Sequence, residues 1–214
     1  MLPEQIHSTA GEALARKQQA ARTLIDEIVA LYRANPLTVA VAAALEDAEA
    51  AALMEYSPRL APVTRHVETA VANGRGGPCA GLAAAFGAVA LDLWWRQNAN
   101  YVAAPPNEDF LNNYGYVELV GPGSAIKSDA IRVGLLLLGS RVSYPAHRHP
   151  AEEIYHVISG NSRWWRQGEE WRHEAAGALI HHPPGVPHAM ACNEEPLLAL
   201  YVWMGDIGAA AQLC

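Results

Sequence analysis

Cysteine is scarce in this chain and none of it is paired by spacing. Cys79, Cys192 and Cys214 are the only three, far apart, with no CxxC anywhere. That argues against a disulfide framework and against a thiolate zinc site. Charge is sparse too: 17% of residues are charged against 51% apolar, a balance of globular rather than disordered chains. The formal net charge is −7. With no Lys/Arg stripe and no basic recognition helix, nucleic acid is not expected as a partner. The longest uncharged apolar run, "GGPCAGLAAAFGAVAL" at 76–91, is short for a membrane span, rich in Gly and Ala, and ended by Asp92. A buried helix is expected there, and no membrane association. The opening stretch "MLPEQIHSTAGEALARKQQ" has no basic segment followed by an apolar core, so the expected compartment is the cytoplasm. No internal repeat or low-complexity linker breaks the chain.

The 214 residues suffice for one domain, or one domain with an extension, and for a core without staples. Composition changes near residue 110. Before it alanine dominates, and Leu14, Ala21, Leu24, Ile25, Ile28, Leu31 and Tyr32 recur at helical spacing until Asn35-Pro36. Further helices are expected over about 37–55, from Ser57-Pro58 to Asn73-Gly74, and from Pro78 into "DLWWRQN" at 92–98. After a Pro/Asn-rich break at 101–115 come short strand-like runs at 116–121, 131–139, 153–160, 161–168 and 197–205, separated by Gly-rich turns. Such spacing predicts an antiparallel sandwich or barrel. The expected organisation is therefore α+β: a helical region over 1–110 packing on a β-barrel over 111–214. The helices are expected to cover one mouth of the barrel and to offer a surface for a homodimer.

What the chain does have is histidine. Seven of its nine fall within 42 residues: His147, His149, His156, His173, His181, His182 and His188. Residues two apart on a strand share a face. His147 and His149 therefore project together, as do Glu153, Tyr155 and Val157. A hairpin across "HPAE" would bring the pair against Glu153, with His188 arriving after the turn "PPGVP". Imidazoles plus one carboxylate suit a single divalent transition metal, either Fe, Zn, Mn, Co or Ni, and not calcium. His181 and His182, next to prolines, are placed outside the metal shell. His156 is out of phase with Glu153 and is expected to face away.

These residues resemble the cupin superfamily. "HRHPAEEIYHVISG" matches its first motif through His147, His149, Glu153 and Gly160. "GALIHHPPGVPH" matches the second through Gly177, Pro183, Gly185 and His188. Two departures are visible: Gly139 sits two positions too far upstream, and Cys192 stands where an asparagine usually ends the second motif. The match covers about 130–204 and implies a jelly-roll β-barrel, not a reaction. The finer pattern "YPAHRHPAEEIY", behind an alanine-rich helical half, is similar to the cupin-type dimethylsulfoniopropionate (DMSP) lyases of marine bacteria. That resemblance implies β-elimination of DMSP to dimethyl sulfide and acrylate. It implies metal ligation by His149, Glu153, Tyr155 and His188, with His147 in or beside the shell. It also implies that Tyr144 or Tyr155 is the base.

The chemistry makes sense of those residue types. A proton beside a carboxylate is very weakly acidic, so its removal calls for a strong base such as a phenolate, made accessible by a nearby cation. The substrate would be a zwitterionic small molecule, and its sulfonium end suits aromatic faces. Tyr201 and Trp203 share a face of the last strand and are the candidate wall. Arg163, Arg166 and Arg172 are read as a solvated face. The competing readings are an iron-dependent cupin dioxygenase with the same ligands, a non-enzymatic small-molecule-binding cupin, and a sugar isomerase or epimerase.

Overall fold

A computed structural model describes residues 3–214, with side chains from residue 10 onward; Met1 and Leu2, where the stretch read for a leader begins, lie outside the described residues. The first helix, α1 (Pro3–Arg33), ends just before Asn35-Pro36, as the proline requires. It buries Ala21, Leu24, Ile25, Ile28 and Tyr32, while Leu14 stays exposed. Beyond it the helices are shorter than their alanine content suggests. The run expected over 37–55 is α2 (Val39–Leu45) followed by a 3₁₀ turn at Ala50–Met54. The start expected at Ser57-Pro58 does not form. Arg59 instead exchanges backbone hydrogen bonds with Leu93 and Trp95. Ala61, preceding Pro62, is extended, so helix resumes only in a 3₁₀ turn at Pro62–His66 and α3 (Val67–Gly74). The apolar run at 76–91 becomes α4 (Ala80–Val89). No helix among the described residues is long and apolar enough to cross a membrane.

"DLWWRQN" is not helical. Trp95–Arg96 is a short strand, β1, and the buried Trp95 indole donates to the Ala90 carbonyl at 2.7 Å. A one-turn helix α5 (Ala99–Ala103) follows, capped by Asn98. Ten strands come next: β2 (Tyr114–Val120), β3 (Ile131–Leu138), β4 (Ser143–Arg148), β5 (Glu152–Ser159), β6 (Ser162–Arg166), β7 (Arg172–Glu174), β8 (Leu179–His182), β9 (His188–Cys192), β10 (Leu197–Met204) and β11 (Gln212–Leu213). They form two antiparallel, cupin-like sheets, in the orders β1-β2-β3-β10-β5-β8 and β11-β4-β9-β6-β7. The expectation of a closed barrel is corrected here: the two sheets are not hydrogen-bonded to each other along their edges.

The six-stranded sheet is buried on both faces. Leu198, Leu200 and Val202 of β10, with Val133, Leu135 and Leu137 of β3, pack into the core under the helices. Ala199 and Tyr201, with Leu136 and Leu138, pack toward the five-stranded sheet together with Tyr144, Trp164 and Met190. That double burial is why "LLALYVWM" is apolar at nearly every position. Gly160, the glycine closing the first motif, has φ +94 and lies so close to the Pro196 carbonyl that an added Cβ would sit 2.5 Å from it. The β5–β6 turn therefore requires glycine.

Candidate active site

The site lies between the sheets, and β4 aims it through an irregularity. Tyr144 pairs with Met190 and His147 with His188, so β4 spends three residues where β9 spends two. A regular strand would put residues three apart on opposite faces. The extra residue, at Pro145-Ala146, turns them to the same face, and proline is tolerated there because a bulge needs no ladder donor. The Tyr144 and His147 rings consequently stack, centroids 3.9 Å apart and 7° from parallel.

Three imidazoles are pinned from behind. Nδ1 of His147 lies 2.9 Å from the Pro145 carbonyl, that of His149 3.0 Å from Ala151, and that of His188 2.9 Å from Val186. A carbonyl only accepts, so each Nδ1 carries the proton and each Nε2 offers its lone pair. Glu153, on the inner face of β5, meets two of these lone pairs. Its Oε2 is 3.0 Å from His149 Nε2 and 3.1 Å from His188 Nε2. Its Oε1 accepts from the Trp203 indole at 2.6 Å.

His149, Glu153 and His188 thus bring three ligand atoms within 4.8 Å of one another, all buried. His188 Nε2 has no hydrogen-bond partner despite that proximity. Two acceptors facing a carboxylate oxygen need a cation among them, and the group fits a divalent metal by donor type and spacing. Without a metal, a proton takes the place. Burial opposes charge on Glu153, yet His149 and His188 outweigh it and hold the carboxyl well below its usual range. Burial likewise opposes charge on His149, and Glu153 overcomes it and raises that imidazole. His147 stands beside the trio, its ring 4.2 Å from that of His188, but outside the three-atom group. Burial and then His188 hold it well below its ordinary value.

A cavity of about 290 Å³ reaches Glu153. Tyr144, Tyr155, Tyr201 and Trp203, all singled out from sequence, line it together. Burial pushes the phenols of Tyr144, Tyr155 and Tyr201 well above the ordinary value. The Tyr144 hydroxyl donates to that of Tyr101 at 3.1 Å. Tyr201 fits only because its cross-strand neighbour is Gly134: a Cβ there would lie 2.6 Å from the phenol oxygen. Trp203 is held more tightly than a simple wall, since His149 stacks on it with centroids 4.1 Å apart.

His156 faces away from the cavity and stacks on Tyr32 of α1. His181 is half-exposed and pairs with Glu152 at 2.7 Å. His182, set outside the metal shell from sequence, is also outside the three-atom group, but it pairs across from Glu153 and stacks on His188, centroids 4.0 Å apart and 10° from parallel. Neither of its ring nitrogens has a partner among the described residues, and burial, then His188, lowers its pKa to about 3. Sequence reasoning also missed Tyr114, Tyr116, Glu118 and Arg132 in the cavity wall. Their signal was available in the alternation Tyr114, Tyr116, Glu118 along β2, but only pairing with β3 brings Arg132 beside it.

A family model described as DMSP lyase matches residues 35–199. DMSP lyase DddQ of Ruegeria pomeroyi is 33% identical over 129 residues, 60% of this chain and 62% of that protein, so the match spans less than two thirds of that relative's length. The crystal structure of DddQ from R. pomeroyi DSS-3 superposes with a TM-score of 0.74 at 26% identity, covering 91% of this chain and 96% of that one. A chain from the crystal structures of the DMSP lyases RdDddP and RnDddQII superposes with a TM-score of 0.77 at 25% identity, covering 92% and 99%. The chain belongs to the DMSP lyase family.

Proposed function

We propose that this protein is a metal-dependent carbon–sulfur lyase that cleaves DMSP to dimethyl sulfide and acrylate. The observation that carries the reading is the juxtaposition, in one cavity, of a buried two-histidine, one-glutamate ligand group and the phenols of Tyr144 and Tyr155. A divalent transition metal held by His149, Glu153 and His188, with Tyr155 or His147 completing the shell, would supply Lewis-acid stabilisation of the charge developing beside the substrate carboxylate.

The protein's own groups do the rest. A tyrosine phenolate takes the proton from the carbon next to the carboxylate. The electron pair of that C–H bond becomes the C=C bond of acrylate, and the C–S pair leaves on sulfur as neutral dimethyl sulfide. In support of Tyr144 in this role, its ring stacks on His147, and the Tyr101 hydroxyl, 3.1 Å away, can turn to donate to a Tyr144 phenolate. Tyr201 and Trp203 shape the aromatic side of the cavity for the sulfonium. In this reading the strands beyond residue 110 carry the chemistry. The helical region braces the six-stranded sheet and contributes Gln97 and Asn98 to the cavity wall.

The test is anaerobic incubation of the protein with DMSP after loading, in separate runs, with iron, manganese, zinc, cobalt or nickel. Dimethyl sulfide in the headspace is expected with more than one metal. Silence with all five rejects the lyase, and activity only with iron and oxygen would mark the dioxygenase instead.

A further inference from the structure

The cavity wall carries two charged groups, Glu118 and Arg132, that the lyase chemistry does not use. Glu118 points from the inner face of β2 and is almost fully buried, its side chain 2% exposed. It accepts from Arg132 Nη1 at 2.7 Å and from the Ser124 hydroxyl, and Arg96 Nη1 lies 3.5 Å away. Two guanidiniums around one carboxylate leave one positive charge in surplus. Arg96, which also donates to the Gly123 carbonyl at 2.8 Å, does not line this cavity. Arg132 does. Its Nε donates to the Ile207 carbonyl at 2.9 Å and its Nη1 to Glu118, while Nη2 donates to no group among the described residues.

Register explains where that free edge points. Arg132 pairs with Trp203 and Gly134 with Tyr201, so Arg132 shares the inner face with both aromatics and lines the cavity. Its side chain is 24% exposed, which places it at the solvent mouth. The guanidinium carbon lies 5.9 Å from the Trp203 ring centroid, and His149 stacks on the same ring. A ligand cation arriving at this mouth therefore meets a like charge first. A carboxylate arriving there meets a pre-oriented guanidinium whose Nη2 is still free to donate a charge-assisted hydrogen bond.

We propose that Arg132 is a substrate-recognition residue that receives the ligand's carboxylate at the cavity mouth. The site thereby admits zwitterions that carry a carboxylate and discriminates against bare onium cations. This rests on the lyase reading for the identity of the substrate but not for the contact itself. The contact persists in the bound complex, so it counts in the equilibrium affinity. The consequence falls on capture of the substrate rather than on the chemical step.

The test uses two half-substrates, propionate and tetramethylammonium, titrated calorimetrically into the metal-loaded protein. Arg132→Gln is expected to weaken propionate binding about tenfold or more, while tetramethylammonium binds as well as before or better. For DMSP turnover, kcat/KM is expected to fall mainly through KM. Unchanged propionate affinity overturns the proposal. If Arg132→Gln loses both ligands because Glu118 is left buried and poorly paired, the double variant Glu118→Gln/Arg132→Gln removes that charge and is read by the same criterion. Loss of both ligands there overturns the proposal. A propionate contrast without any dimethyl sulfide would retain Arg132 and reject the lyase. Dimethyl sulfide formed by Arg132→Gln with wild-type KM and propionate affinity would do the reverse.

Discussion

Trp203 donates its indole N–H to one oxygen of Glu153 and leaves the other to His149 and His188. The tryptophan thus decides which way the only carboxylate of the ligand group faces. Partners of this kind behind a metal ligand are worth about 10–100-fold in metal affinity. Trp203→Phe keeps the ring and the stack on His149 but removes the donor. Its zinc affinity, measured by competition with a chromophoric chelator, is expected to drop within that range. Unchanged affinity would mean the indole only fills space.

Tyr144→Phe deletes the hydroxyl paired with Tyr101 and retains the ring stacked on His147. DMSP turnover is expected to fall by at least about a hundredfold, the scale of a positioned base, and Tyr155→Phe by a similar factor. Circular dichroism and thermal midpoint should stay close to wild type for Tyr144→Phe. Near-full rates in both variants would reject a tyrosine base while leaving the reaction itself standing.

Gly134→Ala is expected to destabilise the protein out of proportion to one methyl group. The new Cβ would lie 2.1 Å from the Val117 carbonyl and 2.6 Å from the Tyr201 hydroxyl. A flexible tip can yield, but a neighbouring strand's backbone yields only by distorting the sheet. A loss of about 1–3 kcal/mol is expected in urea unfolding. Tyr201→Phe combined with Gly134→Ala should recover little, because the backbone contact persists.

His156 gives the fold a dependence on pH. Burial between Tyr32 and the outer face of β5 lowers its pKa below the ordinary 6.5. The unfolded chain therefore binds a proton that the folded chain refuses, so stability is complete above about pH 6.5 and declines as pH falls below it. The slope from this one group is at most about 1.4 kcal/mol per pH unit. Urea unfolding at pH 8 and pH 5.5 should show a smaller acid loss in His156→Phe than in wild type. Equal losses would assign the acid sensitivity to other groups.

Residue type and short spacing determined a good deal. The helical first half, five of the ten strands beyond residue 110, and the placement of Glu153 and Tyr155 on one face of a strand were all legible. Alternation is a local property, and each segment carries it alone. His156 was correctly set apart by the same parity. The extent of the helices was less legible. Backbone pairing of Arg59 with Leu93 and Trp95 overrode a good helix start at Ser57-Pro58, and no local signal announces a partner 34 residues away.

What the tertiary structure decided is which faces meet. Parity alone would have separated Tyr144 from His147; the bulge against β9 stacks them. His182 lies outside every run read as a strand, yet β5 pairs with β8 and brings it across from Glu153. Arg132 and Glu118 are 14 residues apart, and only the register of β2, β3 and β10 joins them at the mouth with Trp203. His149 and Glu153 were legible as candidate donors because their motif carries them four residues apart, and His188 because a Pro/Gly turn precedes it. The stack of Tyr144 on His147 and the charged mouth were not legible, because they depend on bulges and strand neighbours set by long-range packing.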